Sequence, residues 1–251
     1  PEELIVLKNV SVAFGEKPVL DNISWTVKRG TSWHLKGPNG SGKSTLSHVL
    51  AGQESYNVTS GEIRFKGKNL FDLNIEERSQ EGLFLAFQYP HEVSGVSVFN
   101  FLRTSFNSIS ETPDGKPLSI IGFRKYLREK MKILGIEESF VKRYLNEGFS
   151  GGEKKKSEIL QMAVLKPKIA VLDETDSGLD IDALKIVSEA INTMSGPDLG
   201  ILLITHYQRI LKYVKPEFVH VLIDGRIVKS GSMALAEELE NKGYDWIRES
   251  L

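Results

Sequence analysis

Nine consecutive residues, Gly37, Pro38, Asn39, Gly40, Ser41, Gly42, Lys43, Ser44 and Thr45, meet the pattern G-x-x-x-x-G-K-[ST] without a mismatch. In such a loop the glycines let successive backbone N–H groups turn inward on a polyphosphate, the lysine reaches the terminal phosphates, and the next hydroxyl is placed for Mg²⁺. A nucleoside triphosphate is therefore the first ligand the sequence suggests, with Lys43 as its charge clamp and Ser44 as a metal ligand. A second pair of chemical groups, Asp173 and Glu174, closes the apolar run 169–172. An apolar strand that ends in two acids sets them at the carboxyl edge of a parallel sheet, beside a phosphate loop. Asp173 is expected to hold the metal, directly or through water, and Glu174 to polarise the water that attacks the γ-phosphate. A third element is Ser150-Gly151-Gly152, a hydroxyl and two glycine N–H groups at the start of a helical stretch, which also suits an anion.

The elements that must hold these groups can be read from periodicity. Residues 31–35 form a short strand before the phosphate loop, and Leu46, Val49 and Leu50 fall at helical spacing after it. Val10, Val12 and Phe14 alternate with Ser11 and Ala13, and Ile23, Trp25 and Val27 alternate again beyond the turn residues 15–18, an antiparallel β start. Between 96 and 148 the pattern turns helical, with Ile120, Phe123, Leu127, Met131 and Leu134 as the apolar stripe of one helix. Runs 169–172 and 201–204 read as buried parallel strands with a helix at 182–194 between them, and 218–223 with 226–228 as a hairpin turning at Asp224-Gly225.

Composition narrows the classes. The 32 basic and 33 acidic residues leave a net charge of −1, which gives no global reason to expect nucleic acid or an anionic membrane as partner. With no cysteine in 251 residues, disulfides and thiolate ligation of zinc or of iron–sulfur clusters by this chain are excluded. No apolar run approaches the ~20 residues of a spanning helix and the N-terminus has no secretory pattern, so the expectation is a soluble chain without direct membrane insertion. Its expected place is the cytoplasm or, had a targeting segment been removed ahead of Pro1, an organellar stroma or matrix.

Taken in order, these motifs resemble the ATP-binding cassette family, in which two subunits pair head to tail so that the Ser-Gly-Gly of each covers the γ-phosphate held by the other. The resemblance implies roles for further residues. Gln88, at the end of the run 83–87, matches the family's glutamine, which contacts Mg²⁺ and the attacking water and senses the partner domain. Asp180, in Ser177-Gly178-Leu179-Asp180, matches the segment that crosses between subunits. His206 matches the γ-phosphate-sensing histidine, and Phe14 the aromatic that stacks on adenine, although an alternating strand would also bury an aromatic there. The implied fold is α/β: a P-loop NTPase core with an antiparallel β subdomain and a helical subdomain at about 92–160, residues 1–251 forming one cassette. The implied cofactors are ATP and Mg²⁺.

Within that family, transporter ATPases usually read Leu-Ser-Gly-Gly-Gln before a basic, alanine-rich helix, whereas here Phe149 precedes the glycines and Glu153-Lys154-Lys155-Lys156 follows. With Ala86-Phe87-Gln88-Tyr89-Pro90, the run 173–180, His206-Tyr207-Gln208-Arg209 and Gly243-Tyr244-Asp245-Trp246, the chain is similar to the SufC-type ATPases of the Suf iron–sulfur cluster assembly system. That implies a transient ATP-dependent homodimer seated on SufB-like and SufD-like scaffold proteins. The partner surface is expected near 88–101, with Val96, Val98 and Phe99 as candidates or, equally, as subdomain core. The alternative is the nucleotide-binding subunit of a membrane transporter. A clamp on ribosomes or DNA is disfavoured by the single cassette and the lack of a coiled-coil insertion. Glu153 would repel a partner's phosphate unless it points away or pairs with a lysine of 154–156, which suggests a weak or partner-dependent ATPase; those lysines otherwise read as a solvated helix face.

Overall fold

The computed structural model describes residues 1–87, 90–110, 112–205 and 209–251. Alternation at the N-terminus produces β1 (Glu3–Phe14) and β2 (Lys17–Lys28), an antiparallel pair whose turn is confined to Gly15 and Glu16. They join β4 (Tyr56–Phe65) and β5 (Lys68–Asn69) in a four-stranded antiparallel sheet of order β2-β1-β4-β5, numbering strands along the chain. A second sheet holds six strands: β3 (Ser32–Lys36), β6 (Leu83–Ala86), β9 (Ile169–Asp173), β10 (Gly200–Ile204), β11 (Phe218–Ile223) and β12 (Arg226–Gly231). Its order is β12-β11-β3-β10-β9-β6, parallel throughout except for β12.

Helix α1 (Lys43–Leu50) follows β3, and α2 (Ile75–Gln80) precedes β6. Three helices, α3 (Val98–Ile109), α4 (Ile120–Ile133) and α5 (Glu138–Lys142), lead to α6 (Gly151–Leu165). A small antiparallel ribbon of β7 (Val93–Ser97) with β8 (Tyr144–Leu145) brackets the three. After β9 and β10 are α7 (Ile181–Met194) between them and, at the end of the chain, α8 (Met233–Lys242) and α9 (Asp245–Arg248).

The central strands explain why two apolar layers exist. In β9, Ile169 and Val171 join a core shared with the antiparallel sheet, while Ala170 and Leu172 join one shared with α3, α4, α6 and α7. In β10, Leu202 and Ile204 face the first core and Ile201 and Leu203 the second, so a two-residue side-chain period in a continuous apolar run buries both faces. Each fully buried Leu, Ile or Val contributes about 1.5–3 kcal/mol relative to exposure, before entropy is counted. The stripe of α4 holds at Phe123, Leu127, Met131 and Leu134, all buried. Ile120 does not follow it: as the first residue of the helix it is 54% exposed, with Ile121 beside it. Val98 is fully buried and Val96 and Phe99 partly so, which places Val98 in the core rather than on an exposed partner face.

Candidate functional site

Strand register brings the chemical groups into one row. Leu35 of β3 and Asp173 of β9 both lie opposite Ile204 of β10, so the phosphate loop, Glu174 and Thr205 all leave the sheet at the same carboxyl edge. The loop is built on its glycines where space or handedness demands it. A Cβ on Gly37 would stand 2.2 Å from the Leu222 carbonyl oxygen, and Gly42, at φ +101°, would drive one to 2.8 Å from Leu20 Cδ2. Gly42 is also the N-cap of α1 and gives no side-chain cap; of the first-turn N–H groups, that of Thr45 donates to the Gly42 carbonyl at 3.1 Å and no side chain caps the others. Lys43 Nζ lies back along the loop, donating to the carbonyls of Gly37 at 2.6 Å and Pro38 at 3.0 Å. Burial lowers its pKa, against the opposing pull of Glu174 and Asp173.

Asn39, Gly40, Gly42, Lys43, Ser44, Thr45 and Glu174 line a cleft of about 530 Å³ together with Lys17, Val19 and Tyr56. Ser44 Oγ donates to Asp173 Oδ1 at 3.3 Å. Burial pushes the Asp173 carboxyl up to about 6, with the Ser44 bond opposing and Glu174 adding to the rise. A buried acid beside a hydroxyl, with no cationic side chain among the described residues hydrogen-bonded to it, is a donor set that fits a hard divalent cation completed by phosphate oxygens and water. Glu174 is buried in a left-handed backbone conformation, φ +49°, and its N–H donates to the Ile204 carbonyl at 2.7 Å.

Three residues that line the cleft were not evident from sequence. Phe14 is not core: it is 51% exposed and packs at 5.1 Å on Tyr56, its cross-strand neighbour. Tyr56 lines the cleft and stacks on His48 at 5.0 Å. Neither Tyr56, Lys17 nor Val19 belongs to a short motif; the pairing of β1 with β4 brings Tyr56 to Phe14, and the pairing of β1 with β2 brings Lys17 there.

The second anion element stands apart, for Ser150, Gly151, Gly152 and Asp180 are not among the residues around the cleft. The Ser150 hydroxyl accepts the Glu153 N–H at 3.1 Å, and the Glu153 carboxylate accepts the Ser150 N–H at 3.1 Å, a capping box. Arg143 Nη1 lies 2.5 Å from the other oxygen of Glu153. The Ser150 N–H bond, helped by Arg143, holds the Glu153 carboxyl below the usual carboxylate range. Glu153 therefore pairs with Arg143 and not with a lysine of the 154–156 run. That run is no uniform solvated face either: Lys155 is 3% exposed and donates to the Phe87 carbonyl at 2.8 Å, while Glu158 accepts the Phe87 N–H at 3.0 Å. Asp180 caps α7 by accepting the Ala183 N–H at 2.7 Å. Gln88 and His206 lie outside the described residues, yet Phe87 and Thr205, which precede them, are both fixed by buried polar groups.

Residues 20–177 match the family described as ABC transporter. The chain belongs to the ATP-binding cassette family. It is an ATP-binding, ATP-hydrolysing cassette with the P-loop α/β fold expected of one. It is 49% identical over 247 residues to the probable ATP-dependent transporter ycf16 of Cyanophora paradoxa, covering 98% of this chain and 95% of that one. It is 48% identical to vegetative protein 296 of Bacillus subtilis, over 98% of this chain and 94% of the relative. Among solved structures, the ATP-binding subunit of an ABC transporter superposes with a TM-score of 0.78 at 23% identity, over 98% of both chains. A dimeric ATP-binding cassette in a post-hydrolysis state with ADP and phosphate gives 0.77 at 20% identity, over 92% of this chain and 99% of that one. No helix among the described residues is long and apolar enough to cross a membrane.

Proposed function

We propose that the chain is the Mg²⁺-dependent ATPase subunit of a SufB–SufD-like scaffold for iron–sulfur cluster assembly, working as an ATP-induced head-to-tail homodimer. It acts as a single cassette whose helical subdomain spans about 92–160. The observation that carries the dimer is a contrast between glycines. A Cβ on Gly151 would have nothing closer than 4.0 Å, and one on Gly152 nothing closer than 3.8 Å. Their own chain does not require them bare, so the close approach that calls for glycine comes from outside: the phosphate held by a second copy. Zero cysteines and the motif Phe149-Ser150-Gly151-Gly152-Glu153 support the Suf assignment, the cluster ligands being left to the scaffold.

In this reading the N–H groups of the phosphate loop and Lys43 cradle the β- and γ-phosphates as Lys43 leaves the Gly37 and Pro38 carbonyls. Mg²⁺, held by Ser44 and Asp173 with Gln88, supplies neutralisation of charge on the phosphate oxygens. Glu174 orients the attacking water and draws off its proton, His206 bonds the γ-phosphate, and Phe14 or Tyr56 flanks the adenine. Across the dimer, Ser150, Gly151 and Gly152 close over the γ-phosphate, and Asp180 lies at the crossing segment. Relatives that are named as ABC transporter ATP-binding proteins, such as one from Streptococcus pyogenes at 49% identity, favour a second reading in which the same motor drives a membrane protein.

Two measurements test this. Glu174→Gln is expected to keep ATP binding, cut hydrolysis at least ~100-fold and accumulate an ATP-bound dimer; unchanged turnover removes Glu174 from its role. Pull-down from native extract separates the readings, since cysteine-bearing partners that need no detergent support the scaffold and detergent-requiring partners the transporter.

A further inference from the structure

His34 sits in the middle of β3 with 1% of its surface exposed, an imidazole where neighbouring positions carry apolar side chains. Its Nε2 lies 3.1 Å from the Thr205 carbonyl oxygen. A carbonyl only accepts, so Nε2 carries the proton. Burial holds the ring's pKa at about 4, the Thr205 bond opposing and Lys36 and Lys43 adding to the fall, so the ring is neutral near pH 7 and Nδ1 has no proton. That Nδ1 is buried without a hydrogen-bond partner among the described residues. An acceptor buried without a donor costs stability that an apolar side chain of similar size would not. Packing alone therefore gives no reason for histidine at 34, whereas the Nε2 bond does.

The bond has a particular destination. The Thr205 hydroxyl donates to Asp176 Oδ1 at 2.9 Å, and the preceding carbonyl, that of Ile204, accepts the Glu174 N–H at 2.7 Å. Residues 204 and 205 are thus held from three directions: by Glu174, by the turn that follows it, and through His34 by the strand that runs into the phosphate loop. His206 is the next residue in the chain.

We propose that His34 is a positioning residue for hydrolysis, its Nε2–H fixing the chain that leads into His206 against the strand that carries the phosphate loop. The inference rests on the hydrolysis mechanism proposed above. It predicts that turnover, and not nucleotide affinity, depends on this bond. The test compares His34→Met, which fills the site without a donor, with His34→Gln, whose amide nitrogen reaches about as far as Nε2. A third variant, His34→Asn, is polar but too short. In the protein with its native partners, His34→Met should keep the ATP dissociation constant within ~2-fold and melt close to the parent, because the unpaired Nδ1 is removed as the Thr205 carbonyl loses its donor, while kcat falls ~10-fold; displacements well under 1 Å are enough for that. His34→Gln should recover most of kcat. Full kcat in His34→Met overturns the proposal, as does a kcat in His34→Asn equal to that of His34→Gln should the methionine variant fail to fold. Glu174→Gln assayed in parallel keeps the failures apart: if it still hydrolyses ATP the mechanism itself is wrong, and if it is inert while His34→Met is fully active, only His34 loses its role.

Discussion

The two helix N-termini proposed above to meet phosphate are finished in different ways. At α1 the cap is a left-handed glycine with no side chain to offer, so no side chain takes up the first N–H groups of the helix, which borders the cleft. At α6 a side-chain cap is in place: Ser150 and Glu153 satisfy each other's N–H groups, and Arg143 pairs with the Glu153 carboxylate at the same helix end. A helix dipole favours negative charge at both. The first has no side-chain cap and the second has an anionic one, so an incoming phosphate meets a helix-cap carboxylate only at the second.

That contrast can be broken most forcefully at the uncapped site. Lys43→Ala removes the only ammonium on the loop, and turnover should fall at least ~100-fold, with weakened ATP binding. A variant that kept full activity would show that the phosphates sit elsewhere. Next in size is Gly152→Ala. A methyl group there meets only the Ala183 and Leu179 side chains at 3.8 and 3.9 Å, and alanine is the better helix former by up to ~1 kcal/mol. The melting temperature should therefore hold or rise while kcat falls ~10-fold, because the methyl obstructs only the partner's phosphate. A loss of stability in step with activity would make Gly152 an internal packing residue and remove the support it lends to the dimer.

How far the sequence reveals these sites depends on the range of the interactions that define them. Elements whose cause is local were legible: the buried strands of the parallel sheet, α7, the hairpin at Asp224-Gly225 and the phosphate loop each follow from period, turn or motif within a short stretch of chain, whereas the Asp180 cap of α7 came only with the structure. Features set by distant pairing were not. The β7–β8 ribbon joins residues some fifty apart, and Val98 beside it is core where the sequence left core and partner surface equally open. Phe14 is solvent-facing because β1 ends there against Tyr56, although its alternation reads as inward. Lys155 looks like one of three surface lysines, yet it is drawn inside by the Phe87 carbonyl and Glu158. His34 belongs to no motif, and only the register of β3 with β10 brings it to Thr205.

The smallest effect tests the capped site itself. Glutamine at 153 can keep the capping box but not the charge, so Glu153→Gln isolates repulsion of an incoming phosphate. The Arg143 pair is a third exposed on both sides, and losing it should cost no more than ~0.5 kcal/mol. Turnover should rise ~3-fold and ATP-driven dimerisation tighten by a similar factor, through relief of like-charge repulsion near the phosphate. The pH dependence has a fixed sign. Because the folded Glu153 carboxyl lies below its ordinary value of 4.5, its contribution to stability is complete above that pH and disappears as the pH falls through the lowered folded value. The parent should thus be slightly the more stable protein at pH 7, and the two should converge in denaturant titrations as the medium is acidified below 4.5. A gap that stayed constant with acidity, together with turnover no higher than the parent's, would mean that Glu153 is only a helix cap and that the second site is regulated by some other group.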